Sequence, residues 1–216
     1  MDFIHNYGLV PIIVIPTLDK ILCKIFTDKA RWFQLHSVVN MIIVGYIKDD
    51  VYRLLVSPLD IKRIDECEEL YYILYLHLYH SLFFKNSMMD YFHHIVFVLF
   101  GTLPVYYYYN VNIIRLATFV GCGLPGAIEY CTLSLVKNNK ITSLTQKTIM
   151  SNIYNYFRYP FGVYVCSYIY LVHIIGFTSW LNDFTVYYTI FMIFFNGSYF
   201  NKLTIENATW HRLSIR

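Results

Sequence analysis

Charge is what this sequence has least of. Only 14% of its 216 residues are Asp, Glu, Lys or Arg, against roughly a quarter in soluble domains. That leaves too little polar surface to cover a water-soluble body, and the net charge of +3 is too small to argue for a nucleic-acid partner. The five cysteines (Cys23, Cys67, Cys122, Cys131, Cys166) form no C-x-x-C and no paired spacing. That pattern supports neither a zinc ribbon nor a thioredoxin-type site, and the odd count argues against a complete disulfide framework. No P-loop, GxGxxG or Ser/His/Asp spacing occurs, and no cofactor is implied. No Gly/Ser linker, charge block or internal repeat divides the chain, so residues 1–216 read as one domain. The N-terminus has neither a basic n-region nor a small-residue cleavage site, so no cleavable signal peptide is expected.

What is present is apolar and aromatic. The chain is 57% hydrophobic and 19% aromatic, with 22 Tyr and 17 Phe, and its mean hydropathy is +0.44. Aromatic rings with an apolar body and a wet tip suit membrane interfaces. A bilayer core needs about 20 mostly apolar residues per helix. By that measure the sequence predicts an all-α, polytopic membrane helix bundle of six or seven transmembrane helices. The candidates are residues 8–26 (interrupted by Asp19 and Lys20), 33–47, 70–84, 89–109, 111–136, 159–181 and 184–200, the second and third being short. The polar stretch from Lys48 to Glu69, with four basic and seven acidic residues, reads as a solvated loop.

With seven spans, Lys48, Arg53, Lys62 and Arg63 fall on one side of the membrane. Lys29, Arg31, Lys85, Lys137, Lys140, Lys147, Arg158, Lys202, Arg212 and Arg216 fall on the other. Ten against four predicts a cytoplasmic C-terminus, since short cytoplasmic loops carry the excess of Lys and Arg. The sequons at Asn196 and Asn207 then carry no glycan: one abuts the last span and the other is on the cytoplasmic side.

Ionisable residues at membrane depth are expensive and usually face a cavity or a partner. His93 and His94 sit inside such a segment, with Asp90 three and four residues upstream, a spacing that shares a helix face. The spacing predicts that the Asp90 carboxylate orients an imidazole as a general base, with interhelical hydrogen bonding as the competing reading. His77 and His80, i and i+3, also share a face. They could join His93 and His94 around a metal or bond between helices, and the absence of an H-x-x-H-H box favours the second. His36 and Asn40 read as polar contacts between spans. In the 111–136 segment, which carries Arg115 and Glu129, the run Gly121-Cys122-Gly123-Leu124-Pro125-Gly126 predicts a broken helix. Such a break would either open a cavity near Glu129 or act as a packing kink.

Three passages resemble the TLC-domain family, which includes ceramide synthases, translocating-chain-associated membrane proteins and small TLC-domain lipid proteins. Arg31-Trp32-Phe33-Gln34-Leu35-His36-Ser37 is similar to the family's first conserved helix. The passage from Lys85 to Ile95 is similar to its basic residue and acid preceding a His-His pair, and Asn110–Lys137 occupies the place of its next motif. The likeness covers about residues 30–205. It departs where ceramide synthases have two aspartates: this chain offers Glu129 and no aspartate, and the usual Thr after the His pair is missing from IVFVLF. The resemblance implies a lipid-sized cavity in an endoplasmic-reticulum or related membrane. It further implies acyl-CoA-dependent acyl transfer to a lipid amine or hydroxyl, with His93 or His94 as base or nucleophile; the reading of the residues themselves adds Asp90 and Glu129 as candidates beside them. The alternative is a non-enzymatic membrane factor, such as a lipid-composition regulator, trafficking receptor or translocation accessory, whose histidines are structural.

Overall fold

The computed structural model describes residues 8–26 and 28–214. Arg216 of the basic-residue count lies outside the described residues. Seven helices follow in order among the described residues: α1 (Val10–Ile25), α2 (Arg31–Val56), α3 (Glu68–Phe83), α4 (Met88–Tyr108), α5 (Ile113–Lys137), α6 (Ser143–Ile153 continuing through Tyr154–Arg158 and Tyr159–Ile174) and α7 (Asp183–Leu213). Several starts are fixed by side-chain caps that satisfy orphan N–H groups. Ser87 and Asp90 form a reciprocal capping box at α4, while Thr142 and Asn182 accept from Thr145 N and Thr185 N at the starts of α6 and α7.

The central pair is α2 and α5. Around them α1 and α3 pack on α2, and α7 packs on α6 and α4. α5 comes close to α2 because its small residues allow it: a Cβ on Gly126 would lie 2.7 Å from Asn40 Nδ2, and one on Gly123 3.1 Å from Val44 Cγ2. Ser37 Oγ then donates to Ala127 O at 2.9 Å across the same seam. Asn40 is therefore a contact of this seam, as the sequence suggests, whereas His36 stacks on Tyr130 with centroids 3.8 Å apart.

The segment 33–47 is lengthened by its flanks: α2 runs from Arg31 to Val56, through Lys48, Asp49 and Asp50, so the first part of the stretch expected to be loop is helical. The remainder of the polar stretch is a largely exposed loop, but it is tethered. Ile64 N donates to Asn110 O and Asn112 N to Lys62 O, both at 2.9 Å, strapping it to the α4–α5 turn. Arg115 explains why: half-buried on α5, it bonds Glu69 at 2.8 Å and Asp50 at 2.5 Å, gathering α2, α3 and α5 around one cation. Asp19 likewise does not interrupt α1, because its buried carboxylate pairs with Arg31 and accepts from Tyr79 OH at 2.7 Å.

The glycine–proline run does not break α5. It forms a π-helical turn, Phe119–Gly123, inside a continuous helix, and two others occur at His93–Thr102 in α4 and Tyr154–Arg158 in α6. Each is followed two residues later by a proline: Pro104, Pro125 and Pro160. A helical proline lacks an N–H and clashes with the carbonyl four residues back. Widening the preceding turn relieves that clash, and the residue before each proline bonds five residues back: Leu103 N to Val98 O, Leu124 N to Phe119 O, Tyr159 N to Tyr154 O. The carbonyl that Pro104 cannot serve, Phe100 O, accepts the hydroxyl of Tyr188 from α7 instead.

Among the described residues, two helices are long and apolar enough to cross a membrane, α4 (21 residues) and α5 (25 residues). Of their apolar windows, 22% and 28% are buried, and much of the remainder, above all along α5, is half-buried rather than exposed.

Candidate functional site

α3 and α4 form an antiparallel hairpin, so residues before the turn meet residues after it. His77 faces His93, and His80 faces His94. Because α4 is π-helical from His93 onward, its turn is wider, and successive side chains diverge by less than the about 100° of an α-helix. His93 and His94 can therefore both reach α3, their ring centroids 5.9 Å apart.

Hydrogen-bond partners fix which nitrogens carry protons. His77 Nδ1 lies 2.7 Å from Ile73 O and must donate to it. The Nε2 of a neutral His77 then accepts, and the facing Nε2 of His93, 3.2 Å away, donates. That leaves His93 Nδ1 as a lone pair, and this buried atom has no protein partner. A second chain runs alongside. Ser81 Oγ donates to His77 O at 2.9 Å and so accepts from His94 Nδ1 at 3.0 Å. His94 Nε2 in turn accepts from His80 Nδ1 at 3.3 Å. His80 stacks on Trp32 with centroids 3.6 Å apart, its Nε2 left as an acceptor.

Three of these imidazoles, His77, His80 and His93, border with His36 a cavity of about 560 Å³ between α2 and α7. The wall from α5 and α6 supplies Glu129, Tyr154 and Arg158. Tyr154 OH donates to Glu129 Oε2 at 2.5 Å. Arg158, only 5% exposed, donates through Nη2 to Asn196 Oδ1 of α7 at 2.8 Å, while its Nε has no partner. Its guanidinium lies 4.4 Å from the Tyr154 ring centroid and 5.2 Å from that of Phe200.

The four residues singled out from sequence separate. His93 and Glu129 line the cavity. His94 has both ring nitrogens partnered and does not appear in the lining. Asp90 borders the cavity, but the expected bond to an imidazole is not formed: its Oδ2 is held by the Ser87 N–H and hydroxyl, each at 2.7 Å. The reason is local, because a carboxylate three residues into a helix closes the capping box before it can reach the next turn. His77 and His80 bond across the hairpin. Among the described residues, no three His, Cys, Asp or Glu side chains form a group able to hold a metal ion.

From the sequence, His36 reads only as a contact between spans, and nothing there marks Tyr154 or Arg158 as part of the cavity wall. Arg158 was counted among the loop cations, yet it is buried within the bundle. The signal was Pro160, which marks the π-turn that aims Tyr154 and Arg158 inward. Compared with known proteins, the chain matches no family model, no curated protein and no solved structure.

Proposed function

We propose that this chain is a multi-pass membrane protein that takes a lipid into its bundle cavity and transfers an acyl group to a lipid amine or hydroxyl. All seven helices would contribute to the membrane domain, with the C-terminus cytoplasmic, in the endoplasmic reticulum or a related membrane. The exposed faces support a lipid surround: Ile13, Leu82, Leu99, Leu171 and Phe191 are each more than half exposed, and apolar surface on that scale is unusual for a soluble monomer.

The observation that carries the reading is the unpartnered His93 Nδ1 on an imidazole lining the cavity. A buried lone pair without a donor costs stability, and an incoming N–H or O–H would satisfy it. In the reaction, His93 Nδ1 takes the proton of the lipid amine or hydroxyl while that atom bonds to the acyl carbonyl carbon. The C–S bond of an acyl thioester then breaks, and the leaving sulfur receives the proton from His93. Acyl-CoA as donor follows from the resemblance to ceramide synthases.

One feature favours the non-enzymatic alternative. Asp90 is committed to the helix cap, so no carboxylate supports the imidazole, and a protein that only binds lipid has no need of that support. Lipid profiling of cells expressing the wild type, His93→Ala and His94→Ala separates the two. Acyl transfer predicts a lipid change lost with His93. A change that persists in both variants overturns catalysis and leaves the binding role.

A further inference from the structure

Arg158 has the signature of a cation awaiting an anion. Its side chain is all but buried, yet among the described residues no Asp or Glu oxygen lies within 4 Å of it, whereas Arg31 and Arg115 each have carboxylate partners. Buried charges in proteins are normally paired. Among the described residues, the one side-chain hydrogen bond of the Arg158 guanidinium is to the Asn196 carbonyl, which takes one of its five N–H groups. The two flanking rings hold the guanidinium plane by cation–π contact, which orients the fork without neutralising it.

We propose that Arg158 and Asn196 form a subsite for the phosphate of a phospholipid headgroup inside the cavity. The donor set fits a phosphate. Nε, with no protein partner, stands beside the Nη groups in the planar fork that matches phosphate oxygens. Because the Asn196 oxygen faces Arg158, its Nδ2 is left to donate as a third point. A cavity of about 560 Å³ is far larger than one inorganic ion, and its apolar remainder suits acyl chains. The position also has a consequence for the rest of the ligand. Phe200 touches both the Arg158 guanidinium and the His93 ring, the latter with centroids 5.6 Å apart. A headgroup held at Arg158 therefore places the glycerol region across that ring, beside the open Nδ1 of His93. The subsite deepens the proposed lipid role but needs only binding, not turnover.

The test is retention of labelled lipid by the full chain in phosphatidylcholine nanodiscs, measured with phosphatidic acid, with diacylglycerol of the same chains, and by competition with inorganic phosphate. The wild type is expected to retain phosphatidic acid at least tenfold more strongly than diacylglycerol, with inorganic phosphate a poor competitor. Arg158→Gln should lose that preference while holding diacylglycerol as before, and Arg158→Lys should keep part of it. If Arg158→Gln does not remain folded, Arg158→Lys and the wild-type preference carry the test. Equal retention of the two lipids, an unchanged preference in the folded variant, or displacement by inorganic phosphate at equal concentration overturns the subsite. The outcome is distinct from that of the acyl-transfer reading, because retention in nanodiscs is read without an acyl donor and without turnover, so a missing preference leaves the His93 lipid-profiling result untouched and the reverse holds as well.

Discussion

His77 and His93 face each other Nε2 to Nε2 at 3.2 Å across the α3–α4 hairpin. Only one of these atoms can carry the shared proton, and the Ile73 carbonyl decides which. By claiming the Nδ1–H of His77, a backbone group one helical turn away sets the tautomer of a histidine on the next helix. It thereby exposes the basic nitrogen of His93 on the side away from His77.

That arrangement is directly measurable. In protein labelled with nitrogen-15 histidine, His93 should be found as the Nε2–H tautomer. Replacing His77 by Phe removes the acceptor and should shift His93 toward a mixture. A His93 that is the Nδ1–H tautomer in the wild type, or one indifferent to His77→Phe, would show that the hairpin does not control it.

The seam between α2 and α5 gives a test of packing. Gly126→Ala would put a methyl 2.7 Å from Asn40 Nδ2, a separation that real contacts do not tolerate, so Asn40 must move. The expected cost is about 1 kcal/mol, the low end of the usual range for overpacking, because the atom met is the end of the Asn40 side chain rather than backbone. Asn40→Ala should relieve it, so the double variant should be more stable than the sum of the singles implies. Thermal unfolding in one detergent reads both. Additive losses would mean that the two helices do not meet at these residues.

How far the sequence foretold this can be judged at particular residues. The helical class and the places of α3 to α5 follow from apolar run lengths, and the proximity of four histidines follows from a hairpin with His77 and His80 on one arm. The cross-pairing was not legible, because it depends on α4 being π-helical at His93. Its cue, Pro104, lies eleven residues further on and acts through a carbonyl rather than through periodicity. Arg158 was hidden for the same reason: an arginine between apolar segments looks like a loop charge until Pro160 is read as the mark of a wide turn. Asp90 was misjudged because i, i+3 spacing to His93 and capping-box spacing to Ser87 are the same distance in opposite directions. The cap closes within a single turn, with no tertiary contact needed.

Placing Arg158 inside the bundle also alters the charge count behind the topology. Removing it from the ten basic residues on one side leaves nine against four, and the bias keeps its sign. A C-terminal tag is therefore expected to be reached by antibody when only the plasma membrane is permeabilised. Labelling that requires opening internal membranes would reverse the orientation.

Asp90 provides the sharpest separation of structure from chemistry. It and Ser87 form one reciprocal unit, with the Ser87 hydroxyl accepting from Asp90 N at 3.2 Å and Asp90 accepting from both Ser87 groups. Loss of a cap typically costs about 1 kcal/mol. Ser87→Ala and Asp90→Ala should each lower stability by about that amount, and the double variant by little more than either alone, since each single change already opens the box. If Asp90 acts only as a cap, the two single variants should also track each other in lipid output, each losing no more than its share of folded protein. A carboxylate that also supports the imidazoles would make Asp90→Ala far worse than Ser87→Ala at equal folded protein. That split, measured on matched amounts of purified protein, would return Asp90 to the reacting centre, and parallel losses would fix it as the cap that starts α4 at the register where His93 meets His77.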